Sequence, residues 1–219
     1  MIGDMEPVML ALPFRGRWLT QNSPARRVPS HGTDLFGITY AIDFVAVDGH
    51  GRSAPRTWRS LVATESPHLF RGFGMPILAP EGGVVVEVQD GEVDHEARRS
   101  QPTLLCYAVT QASRVRQGIG AVAGNHVVIA LSPSGPYVGV VHLRRGSIGV
   151  GLGDRVKTGD HVGECGNSGN STEPHVHVQV TDSVDWARAR GLPLAFRPAG
   201  SEASDRVWLP REGEIVDAG

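Results

Sequence analysis

The chain has 219 residues, room for one large domain or one domain with extensions, and enough to bury a core without disulfide staples. Its 21 basic and 23 acidic side chains leave a formal charge of −2, so neither nucleic acid nor an anionic membrane is an expected partner. With 40% apolar and 20% charged residues it is too apolar for disorder. Gly (28) and Pro (15) suit short strands joined by many turns.

Residues 1–36 are punctuated by Pro and Gly, with a possible strand at Arg17–Gln21. The start is acidic and the apolar run Val8–Leu12 is too short for an export signal, so the expected compartment is the cytoplasm unless an export segment is missing. Tyr40–Val47 (YAIDFVAV) is apolar on both faces except at Asp43, the pattern of a strand covered on both sides. Residues 49–67 read as a long loop. Met75–Ala79 and the β-branched Val84–Gln89 read as strands around an APEGG turn.

Residues 103–117 place Leu104, Leu105, Ala108, Val109, Ala112 and Val115 on one helical stripe, which predicts a short helix in an otherwise β-type chain. His126–Leu131 and Tyr137–Leu143 form a strand–turn–strand pair around SPSGP. Gly146–Gly163 is turn-rich, Glu173–Thr181 ends in a strand, and a weak helix is expected at Trp186–Arg190. The longest stretch without Asp, Glu, Lys or Arg, Gln117–Leu143, is broken by Gly and Pro, so no membrane-spanning helix is expected. Two cysteines, Cys106 and Cys165, lack CxxC spacing; they make no thiolate metal site, and two free thiols are expected rather than one bridge. The whole predicts a mainly β fold, an antiparallel sheet sandwich or partial barrel with one short helical insertion.

Chemistry concentrates in a few residues. In His175-Val176-His177 both imidazoles project from one face of a strand while Val176, Val178 and Val180 take the other. Such a pair suits one ring on a metal and one moving protons, although an edge-strand pair of surface histidines has the same pattern. Asp43, among apolar neighbours, needs a partner: a metal or one of the arginines. His31 and Asp34 lie in a loop before it, and His142 ends an apolar strand. Zinc takes His nitrogen and Asp oxygen readily and keeps a position open in catalytic sites. No GxSxG, P-loop, GxGxxG or HExxH is present.

The block from Val140 to Val180 holds a strand-borne His, Gly-Asp-x-Val-x-x-Gly, Gly-Asn-Ser-Gly and Pro-His-x-His. With APEGGVVVEV and GNHVVI, it resembles the lysostaphin-type (LytM-like) zinc metallopeptidases of bacterial cell walls, over roughly His31 to Thr181. The resemblance implies a duplicated-hybrid-motif sheet and a peptidase domain at 31–182 carrying an insertion at about 91–120. An irregular extension at 1–30 and a tail at 183–219 would flank it. It also implies one Zn2+ per chain on His31, Asp43 and His177, two catalytic histidines, His142 and His175, and a peptide substrate in peptidoglycan. The family's usual His-x3-Asp spacing is absent: position 35 is Leu, leaving Asp34 or Asp43 as the carboxylate, and the strand-embedded Asp43 is preferred. Two other readings compete: a silent relative that binds and regulates a wall hydrolase, and a phosphohistidine carrier similar to the glucose-permease IIA proteins. A carrier would not need His31 or Asp43.

Overall fold

The computed structural model describes residues 5–100, 119–197 and 207–219. Eight strands form one sheet in the order β12-β2-β3-β10-β7-β6-β5-β8, every neighbouring pair antiparallel. They are β2 (Arg17–Gln21), β3 (Ile42–Ala46), β5 (Gly83–Gln89), β6 (Asn125–Ala130), β7 (Tyr137–Leu143), β8 (Arg155–Val156), β10 (Val176–Thr181) and β12 (Ile215–Asp217). Two smaller pairs complete it: β4 (Pro76–Leu78) with β9 (His161–Glu164), and, in parallel, β1 (Val8–Leu10) with β11 (Leu194–Phe196). The fold is mainly β, as expected. β2 lies among the residues read as an extension and β12 among those read as a tail, yet both are strands of the main sheet.

Alternation along β3 and β10 sorts the sheet's two faces. Ile42, Phe44 and Ala46, with Val176, Val178 and Val180, pack with Trp18, Val140 and Ile129 into the main core, each at most 2% exposed. Burying each such valine is worth about 1.5–3 kcal/mol. The opposite face carries Asp43, His177 and Gln179. It is covered in part by a second cluster of Ala123, Val128, Val141, Trp186 and Ala189. Register then brings distant residues together: His177 lies directly opposite Asp43, and Asp43 opposite Gln21.

Among the described residues the one α-helix is α1 (Ile119–Ala123), ended by Gly124 at φ +63°, a conformation glycine adopts without a Cβ penalty. The helix expected at 103–117 lies outside the described residues, as does Cys106. Cys165 is a buried free thiol, raised well above its usual pKa by burial and by the charge of Asp94. Trp186–Arg190 is a turn instead of a helix. The amides of Arg188 and Ala189 both bond the Asp185 carbonyl, Asp185 Oδ1 accepts from the Ala187 amide, and the chain then re-enters bridging at Gly191. No helix among the described residues is long and apolar enough to cross a membrane.

Candidate metal centre

Three residues separated widely in sequence present ligand atoms within 4.8 Å of one another: His31, Asp43 and His177. Each is set by a different local device. Asp43 is the second residue of the buried strand β3 and is 5% exposed. His177 faces it from β10 at 6% exposure. His31 sits on a loop pinned by the Ser30 amide to the Thr39 carbonyl and by the Gly32 amide to the Pro29 carbonyl. Asp34 is exposed and accepts instead from Thr39 Oγ1, outside the cluster.

The outer hydrogen bonds fix which nitrogen of each ring faces the carboxylate. Gln179 Nε2 donates to the Phe36 carbonyl at 3.0 Å, so its Oε1 is left to accept from His177 Nε2–H at 3.1 Å. In neutral His177 the lone pair is then on Nδ1, 2.8 Å from Asp43 Oδ1. Ser30 Oγ donates to the Ile38 carbonyl at 3.2 Å and therefore accepts from His31 Nδ1–H at 2.9 Å. In neutral His31 the lone pair is on Nε2, 3.0 Å from Asp43 Oδ2. Neutral rings thus turn two lone pairs toward a carboxylate, an arrangement that requires a cation at its centre: a proton on a ring, or a metal. Two imidazole nitrogens and a carboxylate oxygen, each ring held by an outer partner, match the donor set and support of a zinc site. Asn22 Nδ2 donates to Asp43 Oδ2 at 2.7 Å and steadies the carboxylate. Burial alone would raise the Asp43 pKa. The charges of His31 and His175, with hydrogen bonds from His177 and His31, overcome it and hold the carboxyl well below its usual range.

His142 and His175 adjoin this cluster, their ring centroids 4.7 Å apart. His142 lies 5.9 Å from the His177 ring. It is the second-last residue of β7 and lies in the left-handed region, φ +64°, a conformation uncommon for a non-glycine residue and frequent at functional sites. Its Nδ1 donates to the Ser168 carbonyl at 3.0 Å, leaving the lone pair on Nε2. Burial, joined by the charges of His175 and His177, pushes His142 well below the usual histidine pKa, so the ring is neutral at pH 7. His175 Nδ1 donates to the Glu173 carbonyl at 2.8 Å, and its Nε2 stands 3.8 Å from Asp43 Oδ1.

All five residues line one cavity of about 250 Å³, whose lining also includes the apolar Phe36, Ile38, Val122 and Trp186. His50, His68, His95 and His161 lie outside it. His126 is a core histidine, bonded to the Gly124 carbonyl and to Glu87 and packed 5.0 Å from the Trp186 ring. Sequence reading missed Ser30, Asn22 and Gln179. For Gln179 a signal existed, since the alternation that puts His175 and His177 on one face puts position 179 there too.

The model of peptidase family M23 matches residues 68–187, a span that includes His142, His175 and His177 and begins after His31 and Asp43. An uncharacterized metalloprotease of Buchnera aphidicola subsp. Baizongia pistaciae (strain Bp) is 28% identical over 127 residues, 58% of this chain. The match spans only 26% of that relative's length. Among solved structures, the catalytic domain of the prophage-encoded M23 protein EnpA from Enterococcus faecalis superposes with a TM-score of 0.40 at 22% identity, covering 70% of this chain and 73% of its own. The catalytic domain of the antimicrobial peptidase lysostaphin from Staphylococcus simulans gives 0.38 at 19% identity, covering 69% and 74%.

Proposed function

Because the chain belongs to peptidase family M23, we propose that it is a zinc-dependent endopeptidase that cuts peptide cross-links of bacterial peptidoglycan. His31, Asp43 and His177 are the metal ligands in this reading, and His142 and His175 the catalytic pair. The observation that carries it is the donor polarity of the cluster: two ring nitrogens with their lone pairs set inward by Ser30 and Gln179, facing a buried carboxylate.

Bound zinc supplies Lewis-acid polarisation of the scissile carbonyl. The chain's own groups do the proton work. His142, kept neutral and anchored through Nδ1 to the Ser168 carbonyl, takes a proton from the attacking water at Nε2. His175, anchored through Nδ1 to the Glu173 carbonyl, acts in its imidazolium form: its Nε2 gives a proton to the leaving amine, and the proton that His142 took from water, on a ring 4.7 Å away, replaces it. Phe36, Ile38, Val122 and Trp186 add apolar surface to the lining of the same cavity.

The test is elemental analysis of the purified protein and of His177→Ala and Asp43→Ala, followed by mass spectrometry of digested wall fragments. One zinc per chain, lost in both variants, with cross-link peptides released by the wild type, is the expected result. A full complement of zinc in Asp43→Ala, or none in the wild type after zinc incubation, overturns the ligand set. Zinc binding with no cleavage of wall fragments overturns the substrate.

A further inference from the structure

The cavity is chemically lopsided. Toward Gln179 its wall is apolar, with Phe36, whose carbonyl accepts from Gln179 Nε2, and Trp186, which packs with Gln179 over Gly139. Toward the other end of the His175–His177 pair stands Glu173, the one ionisable lining residue outside the five already described. No Lys or Arg is among the described lining residues, so a substrate carboxylate finds no fixed cationic side chain there.

Glu173 is half-buried and held in place. Its Oε2 accepts from Ser53 Oγ at 2.7 Å, across from the loop 48–72. Its main-chain carbonyl accepts from Ser171 Oγ at 2.8 Å and from His175 Nδ1 at 2.8 Å. Among the described residues it has no ion-pair partner. A half-buried carboxylate with one neutral donor is incompletely compensated, and a charge-assisted hydrogen bond from an arriving ammonium supplies what is missing. The second oxygen is the acceptor left for it.

We infer that Glu173 anchors a subsite for a substrate ammonium, so that the preferred peptide carries a free amine close to the scissile bond and an apolar residue on the other side of it. The inference rests on the peptidase reading. The amine has two possible sources, a side chain or a chain terminus, and the chemistry of Glu173 recognises both.

The test compares wild type with Glu173→Gln on a synthetic cross-link peptide in four forms: unmodified, acetylated on the side-chain amine, acetylated on the α-amine, and acetylated on both. Gln keeps an acceptor for Ser53 and removes the charge. Acetylating the recognised amine is expected to lower wild-type kcat/KM about tenfold, mainly through KM. Glu173→Gln is expected to lose about the same factor on the unmodified peptide and to become indifferent to acetylation, a non-additive pair of changes. Whichever single acetylation reproduces the double one identifies the source. Wild type indifferent to every acetylation, or Glu173→Gln still discriminating as strongly, overturns the subsite while the peptidase reading stands. Cleavage of none of the peptides or of intact wall fragments overturns both.

Discussion

Replacing Gln179 by Met removes the acceptor that sets the His177 tautomer while keeping most of the side-chain volume. Gln179 is 2% exposed; it accepts from His177 Nε2 at 3.1 Å and donates to the Phe36 carbonyl at 3.0 Å. The variant leaves both partners unpaired next to a buried face, and each such loss costs about 1–2 kcal/mol, or about 2–4 kcal/mol of folding stability together. The effect on metal has a separate origin. Freed from Gln179, neutral His177 can carry its proton on Nδ1, the atom that must bind. Loss of an outer partner of this kind weakens metal affinity about 10- to 100-fold, about 1.4–2.7 kcal/mol. Zinc affinity is measured by competition with a chromophoric chelator, and stability by thermal unfolding of metal-free protein. Gln179→Glu separates the two effects: it keeps an acceptor for His177 but sets a carboxylate against the Phe36 carbonyl, so stability falls while zinc affinity stays within about threefold of wild type. Unchanged zinc affinity in Gln179→Met refutes the tautomer argument. Equal losses of affinity in the two variants show that packing was responsible.

His142→Asn keeps a residue that tolerates φ +64° and removes the proton acceptor; turnover is expected to fall about 10²- to 10⁴-fold with zinc content unchanged, and loss of zinc contradicts the assigned role. Because folding depresses the His142 pKa, its stabilising contribution is complete above the unfolded value of about 6.5 and is lost as pH falls below it toward the folded value. Urea unfolding of metal-free protein from about pH 7.5 to 5.5 should show stability declining with acid in the wild type and a shallower decline in His142→Asn; equal slopes refute it. Gly169→Ala should cost at least about 3 kcal/mol and reduce turnover, since φ is +67° and a Cβ would collide with the Gly124 nitrogen and meet the Val122 carbonyl oxygen at 2.6 Å, next to the Ser168 carbonyl that anchors His142. Circular-dichroism melts and peptide assays check both, and a near-wild-type melt contradicts the tight approach.

Strands with two-sided or alternating apolar patterns were legible in the sequence because burial dictates their composition. Tyr137–Leu143 forms β7 over the residues expected, Arg17–Gln21 forms β2, and the Val176, Val178 and Val180 face is the core face. Short strands near the chain end were not legible: β11 and β12 have three residues each, and one buried residue in β12 leaves no period to detect. The sequence at Trp186–Arg190 suggests a helix because a short apolar-polar run does not reveal that the Asp185 side chain and carbonyl satisfy its amides locally.

The same limit explains what could be seen of the site. His175 and His177 declare a shared face two residues apart, and Asp43 declares its need for a partner by its apolar surroundings. Neither declares the other, since they meet only through the register of β10 against β3, fixed by the packing of Phe44 and Val176 on the far side. Shifting that register by one residue would turn Asp43 into the core and an isoleucine or phenylalanine toward His177. The apolar face therefore does more than stabilise the sheet: it fixes the His177–Asp43 pairing that any metal at this position requires. The outer partners lie one step further from sequence. Ser30, Asn22 and Gln179 are ordinary polar residues until the strands are paired, and the value of Ser30 and Gln179 comes from which atom of each is already committed elsewhere: Ser30 to Ile38, Gln179 to Phe36. That prior commitment converts two ambiguous imidazoles into directed lone pairs.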